Sequence, residues 1–270
     1  MIFSNIEYIS LRLLRRFIFD ESFLLRFGSI VPYYRTNRNQ FAPALLVDDY
    51  ARQMARENYA PDNRRFLEIG VGRTNSTCYE MAARFSPISI TAFEPYVRFA
   101  PREDEFLLGP IAARNNCSSA SLRERVRRVR DLTGIPSQSV DTILSSSVLE
   151  HVFDPIALFR ELRRVLSPGG VMLHLVDYRD HFFKYPYHFL QFRRATWNRW
   201  LNPGDIPVWR IYDHLEQLKA SGFAVRILEE TRDSSAYAKI APHVSSDYRT
   251  GDDRLQITSA ALWAVAADVP

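Results

Sequence analysis

Short apolar runs along this chain alternate with stretches of helical spacing, and that order predicts an α/β architecture. Over residues 6–25, Ile6, Ile9, Leu13, Leu14 and Phe17 can share one helix face, while Arg12, Arg15, Arg16, Asp20, Glu21 and Arg26 interrupt the apolar stretch. Helical spacing breaks at Pro32 and Pro43 and resumes over 44–58, before Pro61 and Asp62 announce the first strand. Phe66, Leu67 and Ile69 form a short apolar run ending at Gly70, and residues 75–85 return to helical spacing. Ile88, Ile90 and β-branched Thr91 favour a strand over 88–93, which Glu94-Pro95 stops. Further strands are expected at 126–129, 140–146 and 171–176, the last buried on both faces. A helix over 155–166 has Asp154 as cap, Pro155 at its start and Pro168-Gly169-Gly170 as its stop. A helix at 211–221 and strands at 223–228 and 258–266 complete the series. The alternation implies a mostly parallel, doubly wound sheet of six or seven strands.

Two regions depart from the alternation. Residues 1–60 read as a helical prelude or lid, ahead of one domain over 61–270. Residues 178–210, rich in aromatic and charged side chains such as Tyr178, Tyr185, Phe189, Trp197 and Trp209, read as an insertion in that domain.

A length of 270 residues can bury a core of this size as one domain, and 46% hydrophobic with 24% charged residues is the balance of a folded chain. Two cysteines, Cys78 and Cys117, make no disulfide framework, so a reducing, cytoplasmic setting is expected. The N-terminal stretch lacks a secretion-signal core and is too interrupted by charge to span a bilayer; it suits a packed helix, with membrane-surface contact as the alternative. The net charge of +4 and the cluster Arg123, Arg125, Arg127, Arg128 and Arg130 raise a nucleic-acid reading. No nucleic-acid motif accompanies them, and arginines solvated along an edge strand at 126–129 account for the cluster.

The first strand closes with Glu68-Ile69-Gly70-Val71-Gly72, where two glycines let the backbone turn sharply and approach a ligand. Glu94, at the end of the next strand, stands where Rossmann-like folds set an acid against ribose hydroxyls. A dinucleotide fingerprint needs a third glycine where this chain has Asn75, and Glu68 suits an ammonium-bearing ligand better than a pyrophosphate.

Glu68 to Gly72, then Phe93-Glu94-Pro95, Asp131 to Pro136, Ser139 to His151, Asp154-Pro155 and Glu161 to Gly170 together resemble the motif series of class I S-adenosylmethionine-dependent methyltransferases. The resemblance covers about residues 65–177. It implies a seven-stranded Rossmann-like sheet with an antiparallel last strand. It also implies S-adenosyl-L-methionine as donor, with Glu68, Gly70 and Gly72 around its methionine moiety, Glu94 on the ribose, Asp131 at the adenine amino group, and Ser146 and Ser147 nearby. Thr74 departs from the pattern, since many members carry a third glycine there.

Methyl transfer needs in-line placement of the acceptor, and a base where a hydroxyl loses its proton. His151, at the end of the strand over 140–146, is the first base candidate; His181 and Asp177, at the end of the next strand, are the others. Glu150, Asp177, Asp180 and His181 are candidate ligands for Mg or Mn. His174 is expected in the core, and Asp213-His214 at the opening of a helix. The aromatic insertion offers flat faces to sugar CH groups or an apolar acceptor, with Arg193, Arg194 and Arg199 available to an anion. A softer likeness of Asp177 to Phe182, with Phe189-Leu190-Gln191 and Trp197, to bacterial polysaccharide-associated methyltransferases implies O-methylation of a saccharide hydroxyl. The alternatives are a small aromatic or lipid-like acceptor, or a donor-binding scaffold without turnover. A homodimer through the insertion or the N-terminal helices is a further expectation.

Overall fold

The computed structural model describes residues 2–18, 42–180, 185–202, 204, 206–248 and 253–267. Helix α1 (Ile2–Phe17) and helix α2 (Pro43–Arg56) precede the sheet. Strand β1 (Arg65–Ile69), helix α3 (Ser76–Arg84) and strand β2 (Ser89–Phe93) follow, then helices α4 (Pro101–Arg114) and α5 (Ser119–Glu124) and strand β3 (Val126–Val129). Strand β4 (Val140–Ser146), helix α6 (Pro155–Val165), strand β5 (Leu166–Asp177), helix α7 (Ile211–Ala220), strand β6 (Phe223–Arg232), helix α8 (Ser234–Ile240) and strand β7 (Ile257–Ala266) complete the main elements.

The seven strands lie in the order β3-β2-β1-β4-β5-β7-β6. All neighbours are parallel except β7, which runs antiparallel between β5 and β6. This is the expected Rossmann-like methyltransferase sheet, with its chain reversal between β1 and β4 where such folds collect ligands. Alternation along β1 divides the core. Leu67 and Ile69 face Phe159 and Leu162 of α6 and Leu215 and Leu218 of α7. Phe66 faces Met54 of α2, Met81 of α3 and Leu108 of α4.

Element boundaries moved where local signals competed. Asp154 caps α6 through a 2.9 Å bond from the Ala157 N–H, as its position suggested. Pro168-Gly169-Gly170 ends that helix but lies inside β5, which begins at Leu166 rather than 171. The register with β4 jumps from Val140–Leu166 to Thr142–Val171, so the extra residues form a bulge with Gly169 at φ +74°. Helix α4 has the right opening, Pro101 followed by Glu103 and Asp104, but Gly109 and Pro110 mask its continuation in the sequence.

The insertion builds a second core beside the sheet. Residues Tyr185, Phe189, Trp197 and Leu201 of the insertion pack with Tyr8 of α1 and with Ile240, Val244 and Tyr248 from the β6–β7 connection. Helix α1 enters this lobe while α2 joins the sheet core, so the two helices of the prelude serve different cores. The α1 contact is polar at its centre: Arg12 and Asp180, both fully buried, form an ion pair, and the Tyr8 hydroxyl donates to the same carboxylate. The Arg12 guanidinium also lies 5.1 Å from the Trp197 ring. Among the described residues no helix is long and apolar enough to cross a membrane.

Removing one partner of a buried pair strands the other charge, at a cost of about 3–5 kcal/mol. Arg12→Met alone should therefore lower lobe stability by that order in urea melts followed through tryptophan fluorescence. Arg12→Met combined with Asp180→Leu should cost less than Arg12→Met alone, and additive losses would contradict the pairing.

Candidate active site

The carboxyl ends of β1, β2, β4 and β5 converge on one edge of the sheet. Gly70 leaves β1 at φ +77°, a conformation open to glycine. A Cβ built there would lie 2.3 Å from Val148 Cγ2, so Gly70 is required by close approach as well as by its dihedral. Gly72, at φ +64°, has nothing within 4 Å of its own Cβ position, so the space beside it is open to a ligand.

Glu94, 5% exposed, grips this loop. Its Oε2 accepts the Gly72 N–H at 3.0 Å, and its Oε1 accepts the N–H groups of Tyr96 and Val97, each at 3.0 Å. Three backbone donors occupy most of the roughly four lone-pair positions of a carboxylate. Glu68, near the end of β1, is buried against α3, where the Cys78 thiol donates to its Oε2 at 3.0 Å. Burial raises the Glu68 carboxyl to about 7, against a smaller lowering by the Cys78 bond.

Asp131 is exposed and accepts the Thr133 hydroxyl at 2.7 Å and its N–H at 2.8 Å, which hold its carboxyl below the usual range. Ser146 and Ser147 are half-buried at the end of β4, and Ser147 turns the chain at φ +53°. The turn leads into Val148 and a 3-10 helix, Leu149–His151.

That helix and the end of β5 border a small, narrow cleft lined by Glu150, Asp177, Tyr178, Arg179, Phe189, Ile206, Val208 and Trp209. Trp209 is pinned there by donation from Nε1 to the Val152 carbonyl at 2.6 Å. Glu150 is 3% exposed; its Oε1 accepts the Asp177 N–H at 3.3 Å, while its Oε2 has no hydrogen-bond partner. Burial, reinforced by the Asp177 carboxylate, raises Glu150 to about 8. Asp177 itself is held by Arg179, through the N–H at 2.9 Å and Nη2 at 2.7 Å. His151 is half-buried at the end of the 3-10 turn.

The structure brings Glu150 and Asp177 together but not the full set proposed for a metal. Asp180 is spent on Arg12 and Tyr8, and His181 lies outside the described residues. Among the described residues no three His, Cys, Asp or Glu side chains converge as a metal site would require. His174 is in the core, as expected: its Nδ1 bonds Ser145 Oγ at 2.7 Å, and burial lowers it to about 4. Asp213 opens α7 by accepting the Arg210 N–H at 2.8 Å.

The arginine cluster divides. Arg127 is exposed on the edge strand, but Arg128 turns inward, donating to the Gly72 carbonyl and, at 2.9 Å, to Asn75 Oδ1. Asp104 of α4 braces the same corner, accepting the Asn75 N–H at 2.6 Å and the Tyr79 hydroxyl at 2.7 Å. Strand alternation separates Arg128 from Arg127 in the sequence, but nothing there names Gly72 as its partner.

A family model described as a methyltransferase domain matches residues 36–227. The chain belongs to this methyltransferase family. Its motif order and sheet place it among the class I S-adenosylmethionine-dependent methyltransferases. The ubiquinone biosynthesis O-methyltransferase of Xanthomonas oryzae pv. oryzae (strain PXO99A) is 42% identical over 53 residues, 20% of this chain and 22% of that protein. The match thus spans about a fifth of that curated relative. Phosphoethanolamine N-methyltransferase 2 of Haemonchus contortus, solved with S-adenosyl-L-methionine, shares the fold at TM-score 0.51 and 14% identity, over 94% of this chain and 59% of that one. The [4+2]-cyclase SpnF shares it at TM-score 0.50 and 18% identity, over 83% and 80% of the two chains. Fold alone therefore does not set the reaction of this methyltransferase domain.

Two outcomes follow from this geometry. Gly70→Ala should cost about 2 kcal/mol or more, from overpacking against Val148 and the unfavourable dihedral; adding Val148→Ala should recover part of that loss in urea melts. The second concerns pH. Glu68 and Glu150 have folded pKa values above those of unfolded glutamate, so their contribution to stability is full at acid pH and falls as pH rises through about 7 and 8. His174 acts at the other end, where stability is lost as pH falls below about 6.5 towards 4. Glu150→Gln should thus flatten the decline of Tm between about pH 4.5 and 8. An unchanged slope would show that Glu150 titrates normally.

Proposed function

We propose that this chain transfers a methyl group from S-adenosylmethionine to a hydroxyl of a neutral acceptor, a saccharide in the first reading. The observation that carries it is Glu150 Oε2, a buried carboxyl oxygen without a partner in the wall of the cleft. Buried polar atoms are almost always paired, and one left open beside a cleft suits a group that arrives with the ligand. A hydroxyl fits that oxygen, its oxygen accepting the proton of the neutral carboxyl. Trp209, Phe189, Ile206 and Val208 supply an apolar wall for the CH face of a sugar.

On the donor side, the open space beside Gly72, the exposed Asp131 and the half-buried Ser146 and Ser147 fit an extended nucleoside along the sheet edge. Glu68, Gly70 and Gly72 take the methionine end, Glu94 the ribose and Asp131 the adenine amino group. With three backbone donors already on Glu94, the ribose hydroxyls use its remaining lone pair and displace or share one of the Oε1 bonds. The bound donor supplies a methyl group on a sulfonium, whose departure needs no acid. The chain's own task is to place the acceptor oxygen in line and accept its proton, for which His151, His181 and Asp177 are the candidate bases and Glu150 the holding group.

A small aromatic hydroxyl is the second reading, favoured by the stretch shared with the ubiquinone biosynthesis O-methyltransferase and by the same apolar wall.

S-adenosylhomocysteine should raise Tm, by an amount equivalent to about 2.7 kcal/mol at a hundred times its Kd, and NAD should not; the reverse would sink the donor assignment. With labelled donor, methyl glycosides should be methylated in preference to catechol, and Glu150→Gln should lower kcat/KM at least about tenfold without changing S-adenosylhomocysteine affinity. Unchanged turnover in His151→Ala or Asp177→Asn would remove that residue from the list of bases.

A further inference from the structure

We infer that Arg128 is a positioning residue of the donor site, holding the glycine loop in the shape that receives the donor; the inference rests on the donor assignment proposed above. Gly72 is clamped on both sides of its Cα: its N–H goes to Glu94 and its carbonyl oxygen to Arg128. These two bonds fix the two peptide planes that flank a residue at φ +64°, a glycine that no side-chain contact restrains at its Cβ position. Without them Gly72 would have more backbone freedom than any other residue type, and ordering the loop would be charged to ligand binding.

Arg128 is suited to the task by its shape. The planar guanidinium presents several donors in a fixed fork, and here one nitrogen serves Gly72 while the other serves Asn75 Oδ1 at 2.9 Å. The guanidinium carbon lies 5.0 Å from the Phe99 ring centroid, which fixes the plane of the fork. Asn75 is in turn anchored by Asp104 through its backbone N–H at 2.6 Å. The clamp therefore runs from α4 through the start of α3 to the loop, across the stretch where Thr74 and Asn75 stand in place of a further glycine. Side-chain bonds from a neighbouring strand hold here what a glycine-rich turn would set by its own dihedrals.

A positioning role and a purely electrostatic one make opposite demands. A cation beside the loop repels a sulfonium, so removing its charge would tighten S-adenosylmethionine while leaving the uncharged thioether of S-adenosylhomocysteine unaffected. Loss of positioning weakens both ligands alike.

The test is calorimetry with S-adenosylmethionine and S-adenosylhomocysteine on the full chain and on Arg128→Met and Arg128→Lys. The expected result is a loss of about tenfold or more for both ligands in Arg128→Met. Arg128→Lys, which keeps the charge but cannot span both acceptors, should recover only part of that loss. With a methylated acceptor in hand, the donor KM should rise more than kcat falls. Unchanged affinity in both folded variants, or tighter S-adenosylmethionine beside unchanged S-adenosylhomocysteine, would overturn the inference. If Arg128→Met does not fold, Arg128→Lys decides: full wild-type affinity there overturns it, a partial loss supports it. Failure of the unaltered chain to bind either ligand would instead refute the donor assignment.

Discussion

The missing Cβ at Gly70 joins the two halves of this site. Val148 occupies the space where that Cβ would be, so the loop leaving β1 and the turn leaving β4 meet in direct van der Waals contact. Ser147, itself in a left-handed conformation, delivers Val148 to that contact. From Val148 the chain passes straight into the short helix that carries Glu150 and His151. The glycine loop and the cleft wall are thus packed on each other, and close packing transmits displacement, because a well-packed interior has little volume to absorb it. Parallel pairing of β1 with β4 sets the register from below, with Ile69 beside Ser145, and the Gly70–Val148 contact continues it past the end of the sheet.

Two buried arginines and one buried glutamate differ in what their burial achieves. Arg12 and Asp180 are fully buried and compensate each other, with Tyr8 on the same carboxylate. Arg210, also fully buried, donates through Nη1 and Nη2 to the carbonyl oxygens of Tyr178, Leu255 and Ile257. Both bind distant segments into one lobe, and both have an evident structural return. Glu150 differs: beyond the Asp177 N–H on its Oε1, its Oε2 is buried and unpartnered, and desolvation favours its neutral form. A buried polar atom without a partner costs about 1–3 kcal/mol, so its presence beside a cleft points to a use outside folding.

The sheet and the turns at its carboxyl edge were legible in the sequence because their signals are local. A glycine pair at a strand end, an acid at the end of the next strand and a proline-started helix each act within a few residues. What escaped had one of two physical causes. Pro168-Gly169-Gly170 carried a true helix stop, yet the same residues are accommodated as a bulge in β5, because pairing with β4 resumes beyond them. The roles of Arg128 and Asp180 depend on partners 56 and 168 positions away in the chain, which no periodicity encodes. Arg128 looked like a solvated edge charge because its strand is an edge; the structure shows that it is half-buried on the face turned to Gly72. Asp180 looked like a ligand for a cation because it follows a strand end, and it does meet a cation, the guanidinium of Arg12.

The same division separates what the fold sets from what it leaves open. The glycine loop and the turns around it are assembled from β1, β2, β3 and β4, neighbouring strands of one sheet. The lobe beside the cleft is assembled from α1, residues 185–201 and the β6–β7 connection, three segments far apart in sequence. Changes in any of them can reshape the wall formed by Phe189, Ile206 and Val208 without touching Gly70, Gly72 or Glu94. A fold built this way keeps one donor chemistry while its acceptor changes, since the two are specified by side chains that share little beyond the Gly70–Val148 contact. That is why an oxygen on Glu150, in the wall of the proposed acceptor cleft, bears more on which acceptor this chain takes than the glycines shared across its family.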